Sequence, residues 1–214
     1  MQGNAPTVIV GLTGGVGAGK SLAESLCRSW NIPTADADRW AHDVLDSDPD
    51  AIRAVRDEFQ RRYSISPLTA EGTVNRAVIA EKAFADREFL RFLEALIHPR
   101  VRSRAAAWIE QQRRARLPLA VLVVPLLIES GMAAQVDYVV VIAASAATRT
   151  ARLAASRGWH KEEISRRMAA QLSDAERRQH ADCVVCNEGT RAQFAQALRN
   201  ALQEAERHER RPPS

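Results

Sequence analysis

The sequence predicts an α/β protein: a parallel sheet of five strands flanked by helices. Two observations predict it within 214 residues. Short, nearly continuous apolar runs alternate with helical patterns, as strands covered on both faces require. A glycine-rich junction near the N-terminus joins the first such run to a helix. That junction is Gly14-Gly15-Val16-Gly17-Ala18-Gly19-Lys20-Ser21, matching the phosphate-loop pattern G-x-x-x-x-G-K-[ST] in the strand–loop–helix context that gives it meaning.

The first strand is read at Val8-Ile9-Val10, and the helix behind the loop from Leu22, Ala23, Leu26, Cys27 and Trp30. A weak second run, Ile32 to Ala35, ends at Asp36. Helical patterns follow for roughly 85 residues. Ile52, Val55 and Phe59 mark one helix, entered through Asp48 as cap and Pro49 as first residue. Phe89, Leu90, Leu93, Leu96 and Ile97 mark another, with Asp86 as cap. His98-Pro99 should break or kink it before Val101, Ala105, Trp108 and Ile109 resume the pattern. Arg113-Arg114-Ala115-Arg116 leads back to the sheet.

Val121–Val124 is a strong third strand, stopping at Pro125. Val139–Ile142 is the fourth and Cys183–Cys186 the last. Between these two lies an arginine-rich segment with Arg149, Arg152, Arg157, Arg166, Arg167, Arg177 and Arg178. Within it a helix is predicted over Lys161–Leu172, packing through Ile164, Met168 and Leu172. The segment reads either as a solvated hairpin or as a lid closing arginines over phosphates. The charged tail from Glu204 to Ser214 is expected to fray.

Composition narrows the function. The net charge is +4, with 30 basic residues facing 26 acidic ones. Many pair at helical spacing, so solvated helix faces fit most of them and no nucleic-acid partner is expected. Lysine stands only at positions 20, 82 and 161, leaving arginine, the bidentate phosphate ligand, to carry the charge. No apolar stretch has the length of a membrane span, and Met1–Pro6 lacks a signal core. A cytoplasmic protein without a membrane partner is expected. Cys183 and Cys186 form a C-x-x-C, the spacing of redox and zinc sites. In a strand, however, residues three apart face opposite sides, so the thiols would not converge.

The chemistry follows from the loop. Backbone N–H groups of Gly15, Gly17, Ala18, Gly19, Lys20, Ser21 and Leu22 would cradle the phosphates at a helix N-terminus. Lys20 would reach the β- and γ-phosphates of ATP, and the Ser21 hydroxyl would bind Mg²⁺. The carboxylate side of the Mg²⁺ site is not visible in the sequence. Asp36 and Asp38 follow the second strand, where a carboxylate can take the proton of an attacking hydroxyl. Spacing does not choose between them, and one could cap a helix over Arg39–Leu45.

With these blocks in hand the chain resembles the dephospho-coenzyme A kinase family, from Val8 to Gly189. Beyond the loop the likeness rests on Asp36-Ala37-Asp38 with Trp40-Ala41-His42, Asn75-Arg76, and Leu93-Glu94 through His98-Pro99 to Val101. It continues in Pro125-Leu126-Leu127-Ile128-Glu129, Arg152-Leu153, Arg157, Arg167, Gln171, Ala181-Asp182 and Asn187-Glu188-Gly189. Leu22, Ile128 and Arg149 depart from residues usual in the family: a second hydroxyl, Phe and Gln respectively.

The resemblance implies transfer of the ATP γ-phosphoryl group to the ribose 3′-hydroxyl of dephospho-CoA, the last step of CoA synthesis. It implies Asp38, Lys20 and Arg152 as catalytic groups. Asp38, Arg76 and His98 would contact the acceptor, although His98 could equally be structural at a helix break. The implied layout is one P-loop kinase domain. Its core covers about 7–38, 118–148 and 180–203, with a helical acceptor-binding insertion at about 39–117 and a lid at about 149–179. A monomer is expected. Another small-molecule kinase would share the loop but not these blocks together. A GTP switch would need an N-K-x-D motif, which the sequence lacks.

Overall fold

The computed structural model describes residues 7–70 and 72–208. The expectations for Met1–Pro6 and for the end of the tail beyond His208 lie outside the described residues. Two compact units emerge. One is built from the described residues up to Asp36 and from Trp108 onward, the other from Ala37–Ala107.

The first unit holds the sheet. Its strands are β1 (Val8–Gly14), β2 (Thr34–Asp36), β3 (Leu119–Val123), β4 (Tyr138–Ala143) and β5 (Cys183–Cys186). All pair in parallel, in the order β2-β3-β1-β4-β5. Val10 of β1 lies level with Val121 on one side and Tyr138 on the other. Every residue of the three inner strands is buried, which explains why their sequences are apolar throughout rather than alternating. Val8, Val10 and Leu12 pack with Leu26 and Cys27 of α1 (Lys20–Ser29) and with Phe194 and Leu198 of α9 (Arg191–Arg207). Ile9, Leu122, Val139 and Val141, on the opposite face, are equally buried.

Two aspartates fix the amino ends of strands. Asp137 accepts the Ile9 N–H at 2.8 Å and pairs with Arg113 at 3.1 Å. Asp182 accepts the Val139 N–H at 2.8 Å. The strand order changes direction at β1, so the carboxyl end of β1 opens on the crevice where such sheets bind ligands.

The second unit is helical: α2 (Ala37–Ser47), α3 (Pro49–Tyr63), α4 (Arg76–Ala85) and the first part of α5 (Arg87–Ala115). Leu45, Val55, Phe59, Ile79, Phe89 and Leu93 form its core, with the Phe59 and Phe89 rings edge-on at 5.5 Å. The expected caps are present. Asp48 accepts from the Asp50 and Ala51 N–H groups at 3.1 and 3.0 Å, and Asp86 from Glu88 and Phe89 at 2.9 and 3.0 Å.

The structure corrects several boundaries. α2 starts at Ala37, so Asp38 lies inside its first turn and does not precede it as a cap. β2 is only Thr34–Asp36, an edge strand with a single neighbour. α5 runs unbroken through Pro99. The missing N–H orphans only the Ala95 carbonyl, and both Ala95 and Pro99 are exposed to water. Meanwhile Leu93, Val101, Ala105 and Ile109 are buried on both sides of the proline and hold the helix in register. The predicted helix ending at Leu172 stops at Ala169, as α7 (Lys161–Ala169). Ser173 and Glu176 form a capping box that opens a new helix, α8 (Asp174–Gln179). Glu204–Arg207 are helical, within α9.

Candidate active site

The glycine loop leaves the buried end of β1 and enters α1 at Lys20. Gly19 adopts φ 112°, a left-handed conformation, and a Cβ there would sit 2.2 Å from Asn187 Nδ2. α1 has no side-chain cap and no acidic residue in its first turn. The positive end of its dipole therefore meets the loop without a side-chain cap, while the Leu22 N–H is taken by the Gly19 carbonyl at 3.1 Å. Lys20 Nζ donates to the carbonyls of Gly14 at 2.7 Å and Gly15 at 3.2 Å. Ser21 is exposed in the same turn.

The end of β5 braces this loop. Asn187, 4% exposed, donates through Nδ2 to the Ala18 carbonyl at 2.8 Å. Arg152 Nη2 donates to the Asn187 backbone oxygen at 2.9 Å. Arg152 Nη1 is buried and has no hydrogen-bond partner.

Arg152 belongs to α6 (Ala146–Arg157), whose cap Ser145 accepts the Thr148 N–H at 3.1 Å. Glu188 accepts from the Thr148 hydroxyl at 2.6 Å and from the Ser145 N–H. Those two bonds, the hydroxyl first, hold the Glu188 carboxyl below its ordinary pKa. They also lock the start of α6 to the β5 loop. Arg149 and Leu153 are thereby set against the glycines: a Cβ on Gly15 would fall 2.0 Å from Arg149 Nη1, and one on Gly17 3.0 Å from Leu153.

The segment after α7 makes a third contact. Gln171 Oε1 accepts the Val16 N–H at 2.9 Å. Asp174 pairs with Arg149 at 3.0 Å and with Arg177 at 3.0 Å. Arg177 is 1% exposed; it donates to the Leu172 carbonyl at 2.9 Å and lies 3.9 Å from Glu129.

Of the residues predicted from sequence, Gly15, Gly17, Ala18, Gly19, Lys20, Ser21 and Leu22 share one loop and helix start, with Arg152 joined to it through Asn187. Asp38, Arg76 and His98 belong to the helical unit. Asp38 is exposed, the second residue of α2 and two residues beyond the last of β2. Arg76 opens α4 and pairs with Asp46 at 3.3 Å. His98 is half-buried within α5. Arg167 is engaged by Glu163 at 2.7 Å and lies over the Trp159 ring at 4.2 Å.

Sequence reasoning missed Asn187 and Glu188 as loop supports, and it missed the Arg149–Asp174–Arg177 chain. Asn187 follows directly after an edge strand and belongs to the Asn187-Glu188-Gly189 block, neither of which points to the loop; Asp174 is hidden in a basic, polar stretch. Cys183 and Cys186 are free thiols, half-buried and exposed respectively.

A parallel sheet in the order 2-3-1-4-5, with a lysine-bearing glycine loop after its central strand and arginines braced against it, defines a P-loop kinase. The comparisons are more specific. The family model for dephospho-CoA kinase matches residues 8–193, and the chain belongs to that family, whose members transfer phosphate from ATP.

A dephospho-CoA kinase of Symbiobacterium thermophilum is 38% identical over 198 residues, covering 90% of this chain and 81% of that protein. One of Corynebacterium jeikeium is 35% identical over 191 residues, covering 89% and 96%. A crystal structure from Thermus thermophilus matches with a TM-score of 0.76 at 31% identity, covering 93% of this chain and 98% of that one. The Campylobacter jejuni dephospho-CoA kinase shares the fold, with a TM-score of 0.70 at 23% identity and coverages of 92% and 96%.

Proposed function

We propose that this kinase transfers the γ-phosphoryl group of ATP to the ribose 3′-hydroxyl of dephospho-CoA, yielding CoA and ADP. One observation carries the reading: the uncapped N-terminus of α1, lined by glycines and topped by Lys20, in a chain matched to this family over residues 8–193. Phosphoryl transfer needs positioning and charge neutralisation more than covalent chemistry, and this loop supplies both.

In this reading Lys20 leaves the Gly14 and Gly15 carbonyls for the transferred phosphoryl group. Arg152, held by Asn187 through Nη2, offers Nη1 to the developing charge. Asp38 orients the 3′-hydroxyl and accepts its proton. Arg76 and His98 contact the acceptor. The helices of about 39–117 form the acceptor-binding part, and about 149–179 closes as the lid.

Ser21 would hold Mg²⁺. Its hydroxyl is exposed, and the described residues contain no group of three or more His, Cys, Asp or Glu suited to a metal. That donor set fits an ion held chiefly by phosphate oxygens and water. When bound, the ion neutralises charge between the β- and γ-phosphates. No described helix is long and apolar enough to cross a membrane; the reading places the enzyme in the cytoplasm. The protein acts as a monomer on small-molecule substrates.

The test is ADP release from ATP and Mg²⁺ with dephospho-CoA, AMP, CMP or shikimate offered singly. Turnover with dephospho-CoA at least a hundredfold above the others is expected. Activity confined to one of the other three overturns the assignment.

A further inference from the structure

We propose that Arg149 is a γ-phosphate ligand that lets the empty loop distinguish ATP from ADP. The proposal rests on the kinase reading above, though not on the identity of the acceptor. Its side chain is only 9% exposed, and its Nη1 occupies the place a Cβ would take on Gly15. Lys20 Nζ rests on the carbonyl of that same residue at 3.2 Å. The P-loop lysine spans the β- and γ-phosphates, so its resting position marks the γ end of the loop. A second cation therefore already stands at that end before nucleotide arrives.

The surroundings orient this guanidinium without neutralising it fully. Nη2 is taken by Asp174 at 3.0 Å, which fixes the fork. Asp174 must also serve Arg177, at 3.0 Å on its other oxygen. Asp174 thus bridges the two guanidiniums, and Arg149 has no other carboxylate within ion-pair distance among the described residues. Glu129 lies 3.9 Å from Arg177. Arg149 Nε is buried and has no hydrogen-bond partner.

Nη1, the nitrogen set against Gly15, is the donor that an incoming phosphate oxygen would take, as a charge-assisted hydrogen bond. Ser145 and Thr148 are bonded to Glu188, which anchors the first turn of α6, where Arg149 stands, and leaves the remainder of the lid to close. The geometry is that of a preset anion ligand, in contrast to an arginine that must swing in from solvent. ADP, lacking the γ-phosphate, gains nothing from it.

The experiment measures ATP and ADP affinities by calorimetry in Mg²⁺, without acceptor, for the wild type, Arg149→Gln and Arg149→Lys. Arg149→Gln is expected to weaken ATP by ~10-fold or more, the scale of a lost charge-assisted hydrogen bond. ADP should change less than twofold. Retained ADP binding also reports that the variant is folded. Arg149→Lys, keeping a cation opposite Asp174, should recover at least half of the lost discrimination on a logarithmic scale.

Equal losses for ATP and ADP, or no loss for either, overturn the proposal. If Arg149→Gln does not fold, Arg149→Lys carries the test alone. A fall of about threefold in its ATP-over-ADP ratio then supports the proposal, and an unchanged ratio overturns it. Because no acceptor is present, failure of the dephospho-CoA assignment leaves this outcome readable.

Discussion

In the proposed reading, chemistry at the scale of single residues divides into cations that meet phosphate and one carboxylate assigned to the acceptor. Asp38→Asn keeps the shape of the side chain and removes its proton affinity. Turnover is expected to fall by about 10²–10⁴, the usual worth of a general base, while the ATP dissociation constant stays within twofold. Steady-state kinetics beside equilibrium binding separates the two; lost ATP affinity with normal turnover would contradict the role. Cys27 illustrates the opposite case. It is fully buried on α1, and burial pushes its thiol up to about 12, so it packs and does not react. The lysine and glycines were legible because the loop's chemistry is contiguous in sequence. Asn187 was not legible as a loop support, because its partner Ala18 lies 169 residues away.

Among the elements, helix starts were well marked and helix ends poorly. Asp48 and Pro49 announce α3 in two adjacent residues, and the Asp48 carboxylate takes two N–H groups besides the Arg100 guanidinium at 3.0 Å. Asp48→Ala is expected to lower unfolding stability by about 1 kcal/mol, read from the urea midpoint at unchanged slope. Pro99 misleads in the other direction. A proline is a local signal for a break, but the apolar positions Leu93, Val101, Ala105 and Ile109 keep one face across it. Packing along that whole face outweighs one missing hydrogen bond. The Ser173–Glu176 capping box was equally local, yet masked by an apolar spacing that placed Leu172 inside the preceding helix.

For the whole molecule, the sheet unit carries the glycine loop, and the helical unit carries an ionic cluster expected to contribute to acid stability. Glu58, bonded to Arg61 and Arg62, is held down at about 2. Asp86, accepting from the Phe89 N–H and the Tyr63 hydroxyl, is likewise at about 2. Both carboxyls ordinarily titrate higher, at 4.5 and 3.8. The unfolded chain therefore binds more protons in that interval, so stability rises with pH there. The contribution is complete above about pH 5 and is lost as pH falls from there towards 2. Denaturant midpoints measured from pH 7 to pH 2.5 should decline over this window. The decline should be shallower in a Glu58→Gln, Asp86→Asn double variant; an identical slope would show that other groups govern it.

By itself the sequence determined the phosphate loop, the five apolar strands and the caps at Asp48 and Asp86, since each depends on neighbouring residues and a fixed local period. The tertiary structure alone decided which arginines reach the loop. Arg149 and Asp174 are 25 residues apart. They meet because Glu188 anchors the start of α6 beside the loop and Gln171, just before α8, is bonded to the loop at Val16. Their pairing depends on sheet order and helix anchoring, which no periodicity in a linear sequence encodes.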